Sequence, residues 1–188
     1  MLDTYQAHLE SLHGHFHRAS SLERATDIVM SVARDIEAKC IATAHLSEEF
    51  QSRIAAQCEQ FGIELLSPPF TNDPPLANVI DRADLGVTGA DFGIAETSTL
   101  VEVATNDDVR LVSSLPRTHI GVLYEDAIVQ SLEDASPLLR KAFAENPENC
   151  VVSFLSGPSR TGDIEMRLTL GVHGPENAHT LVIPRGDA

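Results

Sequence analysis

The 188-residue chain has no tryptophan, two tyrosines, three cysteines and 13 Lys plus Arg against 28 Asp plus Glu. Cys40, Cys58 and Cys150 are far apart and form no Cys-x-x-Cys pair, which excludes an iron–sulfur run and a structural zinc site built from these residues alone. They read as buried, reduced thiols, so any redox centre has to come from a bound cofactor or a partner protein. The formal net charge of -15 excludes nucleic-acid binding through phosphate neutralisation, and it disfavours an anionic membrane surface. Apolar stretches such as 150–155 fall far short of the ~20 residues that span a bilayer, so no membrane insertion is expected. Residues 1–10 carry acids and no basic n-region, which argues against a leader peptide and for a cytoplasmic protein.

What is present is the balance of a folded domain, with 43% hydrophobic residues and a mean hydropathy of -0.05. The length suits one domain over 1–188, able to bury a core without metal or disulfide. Residues 1–18 are polar and helix-prone. Ser20 with Glu23 three residues on forms a capping-box pattern, and Leu22, Ala25, Val29, Val32 and Ile36 then recur at helical spacing. Residues 40–44 read as a strand, Ser47 caps a helix that stops at Gly62, and 63–66 read as the next strand. Pro75 suits the first turn of a helix through Ala83. Strand–helix–strand at these lengths is the unit of a parallel sheet. From 84 to 125 the segments 85–88, 93–96, 99–105, 109–113 and 119–124 are short, β-rich and closely spaced, which predicts antiparallel or mixed pairing. Residues 127–145 read as a helix broken near Pro137, followed by strands at 150–155, 168–172 and 180–183. The fold class is α/β, a single open mixed sheet flanked by helices.

Three segments carry the chemistry. The run 86–99 places Gly86, Gly89 and Gly93 within eight residues, where a ligand can approach the backbone, with Thr88 between the first two. Glu96 follows, and then the hydroxyls of Thr97, Ser98 and Thr99, so Glu96 is a candidate base or nucleophile, or a structural acid. The run 156–163 follows an apolar strand, the setting in which loop N–H groups cradle an anion, with the guanidinium of Arg160 as a carboxylate or phosphate grip. Gly157, Ser159, Arg160 and Thr161 are the candidate contacts there, with a helical turn expected over 163–167; the alternative is a turn in which Arg160 pairs with Asp163, Glu165 or Glu96. His173, between Gly171 and Gly174 at a strand end, is a candidate proton carrier. His119 reads as structural. His13, His15 and His17 share a face only on a strand, and a metal site is not expected.

The runs GVTGADFGIAET, RLVSSLPRTHIGVL, SFLSGPSRTGDIE and LGVHGPENAHTLVI, in this order across 84–184, resemble the LUD-domain family and within it the lactate utilization protein C branch. Residues 1–40 correspond to the more variable part, and the chain departs from the pattern at Ser98, Ser114 and Arg117. The resemblance implies a sheet similar to the NagB/RpiA/CoA-transferase group. It also implies a role in oxidising L-lactate to pyruvate together with two partner proteins that carry Fe–S or cysteine-rich centres, this chain holding no intrinsic cofactor. The alternative is a stand-alone sugar-phosphate isomerase or CoA-transferase-like enzyme, with Glu96 as base or acyl acceptor.

Overall fold

In the computed structural model, which describes residues 1–71, 73–161, 169–170 and 173–185, three helices begin where a serine caps them. After α1 (Leu2–Ser11) and β1 (His15–Arg18), the Ser21 hydroxyl accepts from the Arg24 amide at the start of α2 (Leu22–Asp35). The cap is therefore Ser21 rather than Ser20. β2 (Cys40–Ala44) leads to α3 (Glu48–Phe61), capped by Ser47 as its sequence predicts, and to β3 (Glu64–Leu66). α4 (Leu76–Ile80), β4 (Leu85–Gly89), β5 (Phe92–Ile94), a 3-10 turn (Ala95–Thr97) and β6 (Thr99–Ala104) follow. Then come α5 (Asp108–Ser114), β7 (Thr118–Tyr124), a second 3-10 turn (Glu125–Ala127), β8 (Ile128–Val129), α6 (Leu132–Glu145), β9 (Val151–Leu155), β10 (Arg160–Thr161), β11 (Thr169–Leu170) and β12 (Asn177–Ile183).

The strands do not form one mixed sheet. Six of them pair in parallel in the order β1-β12-β7-β4-β2-β3. A second, four-stranded sheet has the order β8-β5-β6-β9, with antiparallel β5–β6 and β6–β9 pairs, and β10 pairs antiparallel with β11. The expected antiparallel pairing is real, but it forms a separate open sheet. Parallel neighbours need long crossovers, and those from β4 to β7 and from β7 to β12 are long enough to contribute two strands each to the second sheet.

On one face of the parallel sheet, Val29 and Met30 of α2 and Phe50 and Ile54 of α3 pack on Leu85, Val87, Ile120, Val122 and Leu181. On the other face, α4 and α5 bring Ile80 and Val112 onto Ala42 and Ala44. Beside them, Tyr5 and Leu9 of α1 pack with Leu100 of the second sheet against Leu123 and Val182. α6 covers part of the second sheet's outer face, where Ala135 meets Phe92, Ile94 and Val101.

Four local expectations change. Residues 109–113 look β-branched, yet Val109 and Val112 are buried three apart on the helix α5. The helix-prone N-terminal segment stops at Ser11, because His13 adopts a left-handed φ of 65° before the edge strand β1. α6 runs unbroken through Pro137, which removes one backbone donor near the start of a 14-residue helix. The strand read at 180–183 extends back to Asn177. The helical turn read at 163–167 and most of the 168–172 strand lie outside the described residues.

Gly62 ends α3 with φ 67°. Its amide and that of Ile63 reach back to the Glu59 and Cys58 carbonyls, the double-bonded helix stop that needs a left-handed residue. Nothing lies near the space a Cβ would occupy, so strain alone decides the effect of a substitution. Gly62→Ala is expected to lower the unfolding free energy by about 1 kcal/mol, measured by urea denaturation, and a neutral result would contradict this reading of the stop.

Candidate functional site

β2 sends the chain outward through α3 to β3, whereas β4 sends it the opposite way toward β7. The loops leaving the carboxyl ends of β2 and β4 therefore diverge, and between them opens the crevice in which open α/β sheets bind ligands. His45 follows β2 with φ 55°, a left-handed conformation uncommon outside glycine. Its carbonyl lies directly over Gly89 at the end of β4, where any Cβ would collide with it. Backbone packing thus fixes His45 at the mouth of the crevice.

The walls are polar. Asp91 Oδ2 lies 3.9 Å from His45 Nδ1 and is held by the Val103 amide, which donates to it at 2.7 Å. From the neighbouring strands come Tyr124, at the end of β7, and Arg185, just past β12. The Arg185 guanidinium carbon sits 4.5 Å from the Tyr124 ring centroid, and its Nε donates to Asp126 at 2.8 Å. These groups surround a cleft of about 200 Å³, which adjoins a wider one of about 550 Å³ edged by Ser20, Ser21, Ser47 and Arg53. A guanidinium, a phenol and an imidazole–carboxylate pair can together hold a small carboxylate and exchange a proton with a neighbouring hydroxyl.

Of the residues singled out in the sequence, only Gly89 lines this cleft. Thr88 points into the interior. The Glu96 carboxylate accepts from the Leu132 amide at 2.8 Å, at the first turn of α6, where it complements the helix dipole. The other motif residues gather at the opposite, amino edge of the parallel sheet. There Thr97 and Thr99 hydroxyls lie 2.7 Å apart, and Thr99 reaches Ser156 at 2.5 Å. Gly157 turns with φ 87° against Leu12, and the Ser159 hydroxyl accepts from the His173 amide at 3.3 Å. Arg160 donates to the Leu12 carbonyl and to His13 Nδ1, so its guanidinium ties this loop to the end of α1, and among the described residues it does not pair with Glu96. Thr161 closes β10; Asp163, Glu165 and Gly171 lie outside the described residues. The three motif segments do come together, but no hydrogen bond joins Glu96 to His173.

The sequence also left out a buried polar chain between the two sheets. Thr88 Oγ1 lies 2.5 Å from Glu102 Oε1 and 2.7 Å from His119 Nε2, and Glu102 Oε2 has no partner among the described residues. All three residues are 2% exposed or less. Burial pushes the Glu102 carboxyl up to about 7, against the pull of the Thr88 and Ser113 hydroxyls, and pushes the His119 imidazole down to about 4. With Glu102 protonated, its O–H donates to Thr88, which donates to neutral His119. With Glu102 ionised, Thr88 donates to the carboxylate and accepts from His119. These hydrogen bonds join β6 of the second sheet to β4 and β7 of the parallel one. A second histidine group, His15 and His17 of β1 with His179 of β12, is stacked at centroid distances of 4.5 and 5.2 Å to His179. Among the described residues no three His, Cys, Asp or Glu converge as a metal requires.

Glu102 has a folded pKa above its ordinary 4.5, so its contribution to stability is full below that value and is lost as pH rises through about 7. His119 has the opposite shift, and its contribution is lost as pH falls from 6.5 through about 4. Glu102→Gln removes only the first dependence. Relative to the parent protein, the variant should therefore gain about 2–3 kcal/mol in unfolding free energy between pH 4.5 and pH 8. Denaturant titrations across this range would give parallel curves if the buried carboxyl did not titrate in the fold.

The LUD domain model matches residues 2–183. Lactate utilization protein C of Anoxybacillus flavithermus is 36% identical over 103 residues, 55% of this chain and 45% of that protein. Its namesake in Oceanobacillus iheyensis is 26% identical over 186 residues, 97% of this chain and 79% of that protein. The match to the Bacillus subtilis namesake, 34% identical, covers 55% of this chain and 43% of that protein. Alignments to the first of these relatives thus span about half their length. A DUF162 family protein from Deinococcus radiodurans, solved by crystallography, superposes over 97% of this chain and 95% of its own with a TM-score of 0.69 at 21% identity, which shows a shared fold. With a family model matching nearly its whole length, this chain belongs to the LUD-domain family.

Proposed function

We propose that this chain is the cluster-free component of a lactate utilization system that oxidises L-lactate to pyruvate, and that its carboxyl-edge cleft holds the small 2-hydroxycarboxylate. The observation that carries the reading is the meeting of Arg185, Tyr124 and the His45–Asp91 pair at the point where the strand order reverses. The terminal nitrogens of Arg185 bind the carboxylate, and His45, oriented by Asp91, faces the hydroxyl whose proton must leave when the carbon is oxidised. The names of the relatives support the substrate class. The α/β architecture supports kinship with the NagB/RpiA/CoA-transferase group that the resemblance implies.

The two electrons need an acceptor. Cys40 and Cys58 are buried thiols pushed up to about 11, and Cys150 is a separate, half-buried one. Three scattered thiols do not make a cluster site, so the acceptor is a bound cofactor or a partner protein; the family resemblance implies Fe–S or cysteine-rich partners, which would take the electrons as pyruvate forms.

The test is binding of L-lactate and pyruvate by NMR titration of the His45 and Tyr124 ring signals. Arg185→Gln should weaken binding about 10-fold or more, the worth of a charged hydrogen bond, and Arg160→Gln should leave it unchanged. The opposite pattern would move the ligand to the amino-edge loops. His45→Gln should reduce lactate-dependent dye reduction by the reconstituted partners while leaving pyruvate affinity within about 3-fold. Unchanged turnover would remove His45 from the chemistry.

A further inference from the structure

The pairing of His45 with Asp91 is a contact between the two sheets. His45 is set on the parallel sheet, because its carbonyl rests over Gly89 at the end of β4. Asp91 is set on the second sheet. Its amide donates to the Val101 carbonyl at 2.9 Å and its Oδ2 accepts from the Val103 amide at 2.7 Å, so β6 grips it by main chain and side chain together. Between the two, the Ala90 amide donates to the Val122 carbonyl of β7, which anchors the start of the loop but not the Asp91 carboxylate. The 3.9 Å from Asp91 Oδ2 to His45 Nδ1 therefore depends on how β6 is held against the end of β4.

Glu102 stands at that junction. It lies between the two residues that grip Asp91, and its side chain points to the parallel sheet. There its Oε1 lies 2.5 Å from the hydroxyl of Thr88, the residue before Gly89. Among the described residues this is the one side-chain hydrogen bond between strands of the two sheets. On the same face of β6, Leu100 and Ala104 are buried in apolar clusters. An aliphatic residue at 102 would continue that row without the desolvation cost of a carboxyl that is 0% exposed. What the polar side chain adds is direction: apolar contact between sheets tolerates sliding, and a hydrogen bond to one hydroxyl does not. The bond is kept whether or not Glu102 carries its proton, since the Thr88 hydroxyl can donate or accept.

We propose that Glu102 is a positioning residue for the His45–Asp91 pair, holding β6 in register on Thr88 so that the Asp91 carboxylate stays beside His45 Nδ1. Its catalytic consequence rests on the proposed role of His45 in the cleft; the positioning itself does not.

Nitrogen NMR of the His45 ring in the whole protein tests the positioning without turnover, because a carboxylate beside Nδ1 favours the ring form with hydrogen on that nitrogen. Glu102→Leu fills the volume and removes the bond, and Thr88→Val removes it from the other strand. Both should move the His45 signals toward those of Asp91→Asn, whereas Glu102→Gln, which can still bond Thr88, should restore most of the parent spectrum. A folded Glu102→Leu or Thr88→Val variant with the parent's His45 signals overturns the proposal. In lactate-dependent dye reduction, Glu102→Leu should lower kcat about 10-fold with pyruvate affinity within about 3-fold. In an Asp91→Asn background the same substitution should cost no more than about 2-fold. An equal loss in both backgrounds marks a general packing defect and also overturns the proposal. If Asp91→Asn and His45→Gln both leave turnover intact, the proposed role of His45 falls, and the nitrogen signals alone decide whether Glu102 positions Asp91.

Discussion

Parallel pairing is the constraint on which everything else in this molecule rests. A parallel strand cannot be joined to its neighbour by a tight turn; the chain must cross the sheet and return. In the first part of the chain the crossover is one helix, α3 between β2 and β3. In the second part the crossovers from β4 to β7 and from β7 to β12 are longer, and their surplus strands pair with one another. The second sheet is in this sense made of connections. It buries its inner face on the parallel sheet and leaves its outer face to one helix. The cleft follows from the same rule, since only strands running the same way bring all their exit loops to one edge.

The fold was largely legible because its signals are local. Ser47 and Gly62 mark the two ends of α3 through capping and left-handed geometry, and the apolar periodicity of α2 shows its buried face. The partition into two sheets was not legible, because it depends on which strands meet, and short β-rich segments carry no address. The misread segment at 109–113 shows the same limit. Val109 and Val112 satisfy a strand by composition and a helix by spacing, and packing against β2 and β4 decides between them.

The site was legible in part, for a physical reason. Glycine, hydroxyl and arginine clusters drew notice as loops able to cradle an anion, and three of these loops do meet. Their polar groups are spent on one another and on the end of α1, with Arg160 on a main-chain carbonyl and Glu96 on a helix amide. The crevice instead draws one residue from each of several distant segments. His45, Asp91, Tyr124 and Arg185 share no motif and no spacing; topology alone brings them together. The left-handed backbone of His45 is the strongest sign of the place, and a histidine at φ 55° has no sequence signature. Glu102 went unnoticed for a related reason, since an acid inside the β-rich stretch 99–105 looks like a solvated position until a second sheet covers it.

The position of the last strand has a consequence for how the molecule comes into being. β12 lies between β1 and β7, so residues 177–183 are inserted beside residues 15–18, and among the described residues β1 has no other strand neighbour. A nascent chain emerging from the ribosome can assemble β2, β3, β4 and β7 as a partial sheet. Until residues 177–183 have left the ribosome, however, β7 presents an open edge and β1 has no described strand to pair with. Closing the loop between residues 18 and 177 carries the entropic cost of a long-range contact. β1 and β12 thus act as a clasp, and the parallel sheet is fastened only after β12 has been made.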